Sequence, residues 1–224
     1  MYKIRKGLYG SSDLKEDEEA YFHKERDFKK EAEEILVKNG QNKEELAEQF
    51  IREAINVNSQ IYDTADQDDI NGFLIDLVAR KRISSFAVWE SDFLKKLGVK
   101  KHLRDKGLKT VTAKSKNRIA KGGIGITEAD YAIADTGTLV LLTDKNKPRS
   151  VSLLPPIHIA VLRKENIVRN INELFVILKH KLDTDKGITS CMTFITGPSR
   201  TADIELNLTL GVHGPKELYV VLTA

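Results

Sequence analysis

The sequence predicts an α/β fold built on a mostly parallel sheet, with an antiparallel portion and a helical arm in front of it. Three observations lead there. From about residue 12 to residue 58 the patterning is helical. From about residue 60 short apolar runs alternate with helical patterns, which implies βαβ crossovers and parallel strands. Between 130 and 162 several apolar runs follow one another with only turns between them, so neighbouring strands with at least one antiparallel hairpin are expected there.

The arm reads as two helices. Tyr21, Phe28, Ala32 and Ile35 recur at spacings that place them on one face, and Glu25 and Lys29 form an i,i+4 pair on the other. Asn39-Gly40 is a stop signal, because glycine accepts the left-handed conformation that closes a helix. A second helix from about Lys43 turns Leu46, Phe50, Ile51 and Ile55 to one side. The charge run at 15–19 reads as a solvated face. The domain boundary falls at residue 58, with the arm at 1–58 and the α/β domain at 59–224.

In the α/β domain the patterns predict strands at 61–64, 85–89 and 109–112, with helices at 69–80 and 93–97. Further strands are expected at 130–134, 138–143, 150–153 and 157–162, separated by Thr136-Gly137, Lys147-Pro148 and Pro155-Pro156. A helix at 170–181, a strand at 193–196, a short helix near 202–208 and a closing strand at 217–222 complete the expected order.

Bulk properties narrow the function classes. The chain has 224 residues, 41% hydrophobic and 31% charged, enough to bury a core without disulfide or metal. Cys191 is the one cysteine, which excludes an internal disulfide and a self-contained iron–sulfur cluster. The five histidines show no HxxxH spacing and there is no CxxC, so no metal site is expected. No apolar run approaches the ~20 residues of a membrane helix, and no secretory signal follows the first residues. A cytoplasmic location is the expectation. A net charge of +3 is too even to argue for nucleic acid, although it allows an anionic ligand.

Five segments carry chemistry-bearing residues. Lys121-Gly122-Gly123-Ile124-Gly125 lacks both the dinucleotide fingerprint and the P-loop ending, and reads as a turn or as a loop that approaches a ligand. Asp135, Thr136, Gly137 and Thr138 lie between two apolar runs; they can make a tight hairpin turn or offer amides and hydroxyls to an anion. His158 follows Pro155-Pro156 and alternates with Ile157 and Ile159, as a partner-satisfied structural histidine or a site residue. Gly197, Pro198, Ser199, Arg200 and Thr201 precede Asp203 and Glu205. As a strand-to-helix loop, this segment would present free amides and a helix dipole to an anion, with Arg200 as a planar charged fork. His213 and Gly214 form a last turn. Ser199 lacks the setting of a nucleophile elbow, and Cys191 reads as a structural thiol.

In four ordered blocks the chain resembles the lactate-utilisation C branch of the LUD-domain family. These are residues 125–139, with Glu128, Asp130 and Asp135-Thr136-Gly137-Thr138; 152–158, ending in Pro155-Pro156-Ile157-His158; 196–205; and 211–215, around His213-Gly214. The family usually has Glu where this chain has Asp135. The resemblance implies a three-layer α/β/α fold like that of the ribose-phosphate isomerase, glucosamine-phosphate deaminase and CoA-transferase superfamily, whose members bind anions at the strand carboxyl ends. It also implies a role in oxidising L-lactate to pyruvate beside iron–sulfur proteins, with this chain as the non-redox member.

Three functions are thereby in view. The first is an accessory protein that holds no cofactor of its own and binds a small anionic or phosphate-bearing ligand. Thr136, Gly137, Thr138, Gly197, Pro198, Ser199, Arg200, Thr201, Asp203, His213 and Gly214 would form its site. The second is a free-standing isomerase or acyl/CoA-transferase-like enzyme, with Asp135 or Glu205 as base or nucleophile and His158 or His213 as acid–base partner. The third is a scaffold that uses the N-terminal helices to hold a partner. The oligomeric state is open, a homo-oligomer included. The anion site requires the three turns and His158 to converge in space.

Overall fold

A computed structural model describes residues 27–64, 66–112, 120, 123–184, 191–202, 208–211 and 213–224. Tyr21, Glu25 and the charge run at 15–19 lie outside the described residues, as do Gly122, Asp203 and Glu205.

The arm contributes α1 (Phe28–Gln41) and α2 (Lys43–Asn56). Asp27 caps α1 by accepting from the Lys30 amide. The expected stop at Asn39-Gly40 is corrected by two residues: α1 runs on to Gln41 and closes at Asn42, whose amide donates to the carbonyls of Asn39 and Lys38. No left-handed glycine is needed there, because Asn42 itself ends the helix at φ −108°. The apolar face of α2, Leu46, Ala47, Phe50 and Ala54, is buried in the same core as the main sheet.

That sheet has six parallel strands in the order β1-β12-β7-β4-β2-β3. They are β1 (Gln60–Asp63), β2 (Ser85–Val88), β3 (Lys109–Thr110), β4 (Ile124–Ala129), β7 (Ile157–Arg163) and β12 (Glu217–Thr223). Helices α3 (Gln67–Arg80), α4 (Asp92–Lys96) and α5 (Val99–Asp105) connect the first three strands or follow them. Leu74, Leu77, Leu94, Leu103 and Trp89 share one core with Phe86 of β2 and the other strands of the sheet. The strand expected at 109–112 is two residues long, and α5 was not expected.

A second sheet of four strands has the order β8-β5-β6-β9. Its members are β5 (Tyr131–Ile133), β6 (Thr138–Thr143), β8 (Ile167–Val168) and β9 (Cys191–Ile195). β5 and β6 form the expected antiparallel hairpin, and β9 adds antiparallel to β6. Helix α1 packs with α7 (Ile171–Thr184) over this sheet, burying Ala32, Leu174, Ile177 and Leu178 with Val140 and Val168.

Two further expectations are corrected. Residues 150–153 form a helical turn, α6 (Ser150–Leu153). Ser-Val-Ser-Leu alternates like a strand, but Pro148 stands at the start of the turn and accepts from the Val151 amide, a position where proline favours helix. The helix expected near 202–208 is replaced at both ends by strand: β10 (Arg200–Ala202) pairs antiparallel with β11 (Leu208–Leu210). Residues 203–207 between them lie outside the described residues.

Candidate functional site

A cleft of about 440 Å³ opens where several of the sequence-marked segments meet. Its wall is built from Gly197, Pro198, Ser199 and Arg200 after β9, from His213, Gly214 and Pro215 before β12, from Ser152 on α6, and from His158 on β7. Val57, just past α2, closes one side. His158 is the second residue of β7 and pairs in register with Leu218, the second residue of β12. The cleft therefore lies at the amino ends of the central strands, whereas the family resemblance leads to the carboxyl ends.

The turn after β9 is held from two directions. Its amide at Ser199 donates to the Pro215 carbonyl at 2.9 Å, and the Gly211 amide donates to the Ser199 carbonyl at 2.9 Å. The Gly197–Arg200 turn is thereby tied to the 211–215 turn. These bonds also consume an amide that was expected to face a ligand, and Arg200 itself lies in a strand. Gly197 adopts φ +79°, and a Cβ on it would lie 2.2 Å from the Val57 carbonyl oxygen. Only glycine fits such a left-handed close approach. Arg200 donates from Nη2 to that same carbonyl, and its side chain is otherwise exposed.

The Asp135–Thr138 turn reaches the cleft indirectly. Asp135 and Thr136 lie in a 3-10 turn, and Gly137 follows at φ +60°. A Cβ on Gly137 would lie 2.3 Å from the Ala54 amide, so α2 seats directly on this turn. Thr136 Oγ1 and Thr138 Oγ1 share a hydrogen bond at 2.7 Å, and Thr138 Oγ1 meets Thr196 Oγ1 at 2.8 Å. This hydroxyl chain links the turn to the segment entering the cleft. Asp135 accepts from Gln49 Nε2 at 2.9 Å and does not line the cleft.

His158 is fully buried. Its Nε2 shares a hydrogen bond with Thr127 Oγ1 at 2.9 Å, and its Nδ1 has no partner. Burial pushes its pKa down to about 3, so the ring is neutral at physiological pH. It can donate or accept one hydrogen bond in the cleft but brings no charge. That role differs from an acid–base partner titrating near neutral pH.

The structure thus brings together Gly197, Pro198, Ser199, Arg200, His213, Gly214 and His158. It connects Thr136 and Thr138 by hydrogen bonds and leaves Asp135 on α2. Thr201 lies in β10, while Asp203 and Glu205 lie outside the described residues. Sequence reasoning missed Val57, which carries no motif, and did not assign Ser152 to the site although it opens the 152–158 block; both line the cleft. Among the described residues no group of three His, Cys, Asp or Glu side chains could hold a metal ion. Nor is any helix among them long and apolar enough to cross a membrane.

A parallel sheet flanked by a small mixed sheet, with a loop-built cleft beside a buried histidine, defines an α/β protein with a mostly parallel sheet. The chain belongs to the LUD domain family, whose model matches residues 47–223. Lactate utilization protein C of Geobacillus sp. is 31% identical over 195 residues, 82% of this chain and 80% of that protein. Lactate utilization protein C of Bacillus licheniformis is 43% identical over 106 residues, and that of Halalkalibacterium halodurans 47% over 100. These two matches each span 44% of the relative's length. A crystal structure of a DUF162 family protein from Deinococcus radiodurans superposes with TM-score 0.59 at 19% identity. It covers 81% of this chain and 98% of that one, a likeness of fold.

Proposed function

We propose that this chain is the non-redox component of an L-lactate utilisation system and binds a small carboxylate or phosphate-bearing anion in the cleft beside Arg200. The observation that carries the reading is convergence: the two glycine-bearing turns at 197–200 and 213–215 meet over His158, whose buried Nδ1 is unpartnered. Arg200 supplies a fixed positive charge at the rim. Ser199 and Thr196 bring hydroxyls, and neutral His158 offers one directional hydrogen bond without competing for charge. Relatives that align over most of this chain are lactate utilization protein C of other bacteria, which supports the metabolic setting. With a single cysteine, iron–sulfur chemistry would come from partner proteins.

Calorimetric titration of the purified chain with L-lactate, pyruvate and inorganic phosphate tests the ligand. Saturable binding of one of them, lost in Arg200→Ala, is the expected result, and heat changes no larger than dilution for all three would remove the reading. Co-purification of iron–sulfur proteins with the tagged chain from lactate-grown cells tests the setting. Turnover of lactate, sugar phosphates or CoA esters by the chain alone would favour a free-standing enzyme instead.

A further inference from the structure

His158 lines the anion cleft, but the residue that governs its hydrogen bonding stands outside that lining. Thr127 lies in β4 and is fully buried. β4 and β7 pair in parallel, with Gly125 opposite His158. Side chains two apart along a strand share a face, so Thr127 lies one step beyond Gly125 on the face that carries the imidazole. A Cβ on Gly125 would lie 1.8 Å from the Val151 carbonyl oxygen and 2.8 Å from Pro155 Cγ. The α6 turn and Pro155 therefore roof this face closely and help keep the ring from solvent.

The polar hydrogens of the pair can be followed one by one. Thr127 Oγ1 meets His158 Nε2 at 2.9 Å and, among the described residues, no other polar group. Glu128, next along β4, is served separately by Lys147 and Arg163 at 3.7 and 3.6 Å. Burial keeps the ring neutral, with its pKa lowered to about 3, so one proton is shared out between two ring nitrogens. If Nε2 carries it, Nε2 donates to Thr127 Oγ1, and the threonine hydrogen is left inside the sheet, out of reach of any ligand. If Nδ1 carries it, the threonine donates to Nε2. The hydrogen without an acceptor is then Nδ1–H, on the residue that lines the cleft. A buried hydrogen without an acceptor costs free energy, and only the second arrangement can be completed from the cleft.

We propose that Thr127 is a positioning residue that holds the His158 proton on Nδ1, and that the resulting donor makes the cleft select 2-oxo acids over the corresponding 2-hydroxy acids. The selectivity rests on the reading of the cleft as an anion site: a 2-oxo acid offers a carboxylate for Arg200 and a second acceptor for Nδ1–H. A carbonyl oxygen accepts that bond and has no hydrogen of its own to bury. A hydroxyl oxygen can accept it too, but its hydrogen then requires a further acceptor.

Nitrogen-15 spectra of the imidazole-labelled full chain at neutral pH read which nitrogen of His158 carries the proton, with His158→Gln assigning the signal. Calorimetry with pyruvate and L-lactate reads the preference. The expected result is a proton on Nδ1 in the free chain, a shift of that nitrogen on adding pyruvate, and binding about tenfold tighter for pyruvate than for L-lactate. Thr127→Ser, which keeps the hydroxyl, should keep the proton on Nδ1. Thr127→Val, of similar volume without the hydroxyl, should move part of the proton population to Nε2 and bring the two acids to within about twofold of each other. Melting curves and the amide spectrum establish that both variants are folded, and the wild-type spectrum and acid preference need no variant. A proton on Nε2 in the wild type, a proton kept wholly on Nδ1 in folded Thr127→Val, or L-lactate bound as tightly as pyruvate would each overturn the proposal. If neither acid binds, the anion reading fails and the acid preference with it, while the ring spectra still decide the role of Thr127.

Discussion

Arg200 donates through Nη2 to the backbone carbonyl of Val57, 143 residues earlier in the chain. This bond joins the turn after β9 to the residue that ends α2. Gly197 presses on the same carbonyl, so the end of α2 and the cleft wall form one unit. The charge that would meet an anion is positioned by the N-terminal helices.

Arg200→Ala should weaken anion binding by about 1.5–3 kcal/mol, the range for a hydrogen bond to a charged group. Arg200→Lys, which keeps the charge but loses the fork, should recover part of it. Calorimetry with L-lactate and phosphate reads both, and an unchanged affinity in Arg200→Ala would take this residue out of the site.

Gly197→Ala combines a left-handed backbone with a clash against Val57. A destabilisation of about 1–3 kcal/mol is expected from the backbone alone, with more from the displaced carbonyl. Urea unfolding measures it, and wild-type stability in the variant would mean that the turn relaxes without cost.

His158 makes stability depend on pH. Its folded pKa, about 3, lies below the ordinary 6.5, so between these values the unfolded chain binds a proton that the folded chain refuses. Stability from this residue is therefore lost as pH falls from about 6.5 towards 3, at no more than about 1.4 kcal/mol per pH unit. Replacing the ring in His158→Gln should flatten that window relative to wild type. Parallel slopes for the two proteins across pH 4–6.5 would show that the ring is not buried as described.

Phe50→Ala should cost about 3–5 kcal/mol, as for other fully buried aromatics, because Phe50 has no exposed surface and lies in the core of the main sheet. Deleting residues 1–58 removes Leu46, Ala47, Phe50 and Ala54 together and should abolish the cooperative melt. Retention of a sharp transition by the shortened chain would make α2 an independent arm.

Much of the fold was legible because helices such as α3 and α7 repeat apolar residues at helical spacing, and β6, β7 and β12 are apolar runs bounded by turn residues. β4 was not. Ile124–Ala129 is buried along its whole length, so it shows no alternation. Threonine, glutamate and glycine on it serve a histidine, a cation pair and a tight packing contact rather than a hydrophobic pattern. Ser150–Leu153 misled for the opposite reason: four alternating residues are too few to distinguish a strand from one helical turn.

The site was legible as residue types and not as a place. Gly197, Arg200, His158 and His213 stand out in the sequence because their chemistry is unusual for their surroundings, and local rules act on neighbours in the chain. By itself the sequence determined the α/β class, the hairpin at Thr136-Gly137, the absence of a cysteine set for clusters and the segments that carry polar chemistry. Tertiary structure alone decided that α2 belongs to the core, that the amide of Ser199 is spent on Pro215, and that His158 is neutral. It also set Glu128 at the far end of the sheet between two cations. Each of these depends on long-range packing, where burial changes the energy of a charge or a donor and no local pattern records which distant atoms will surround it.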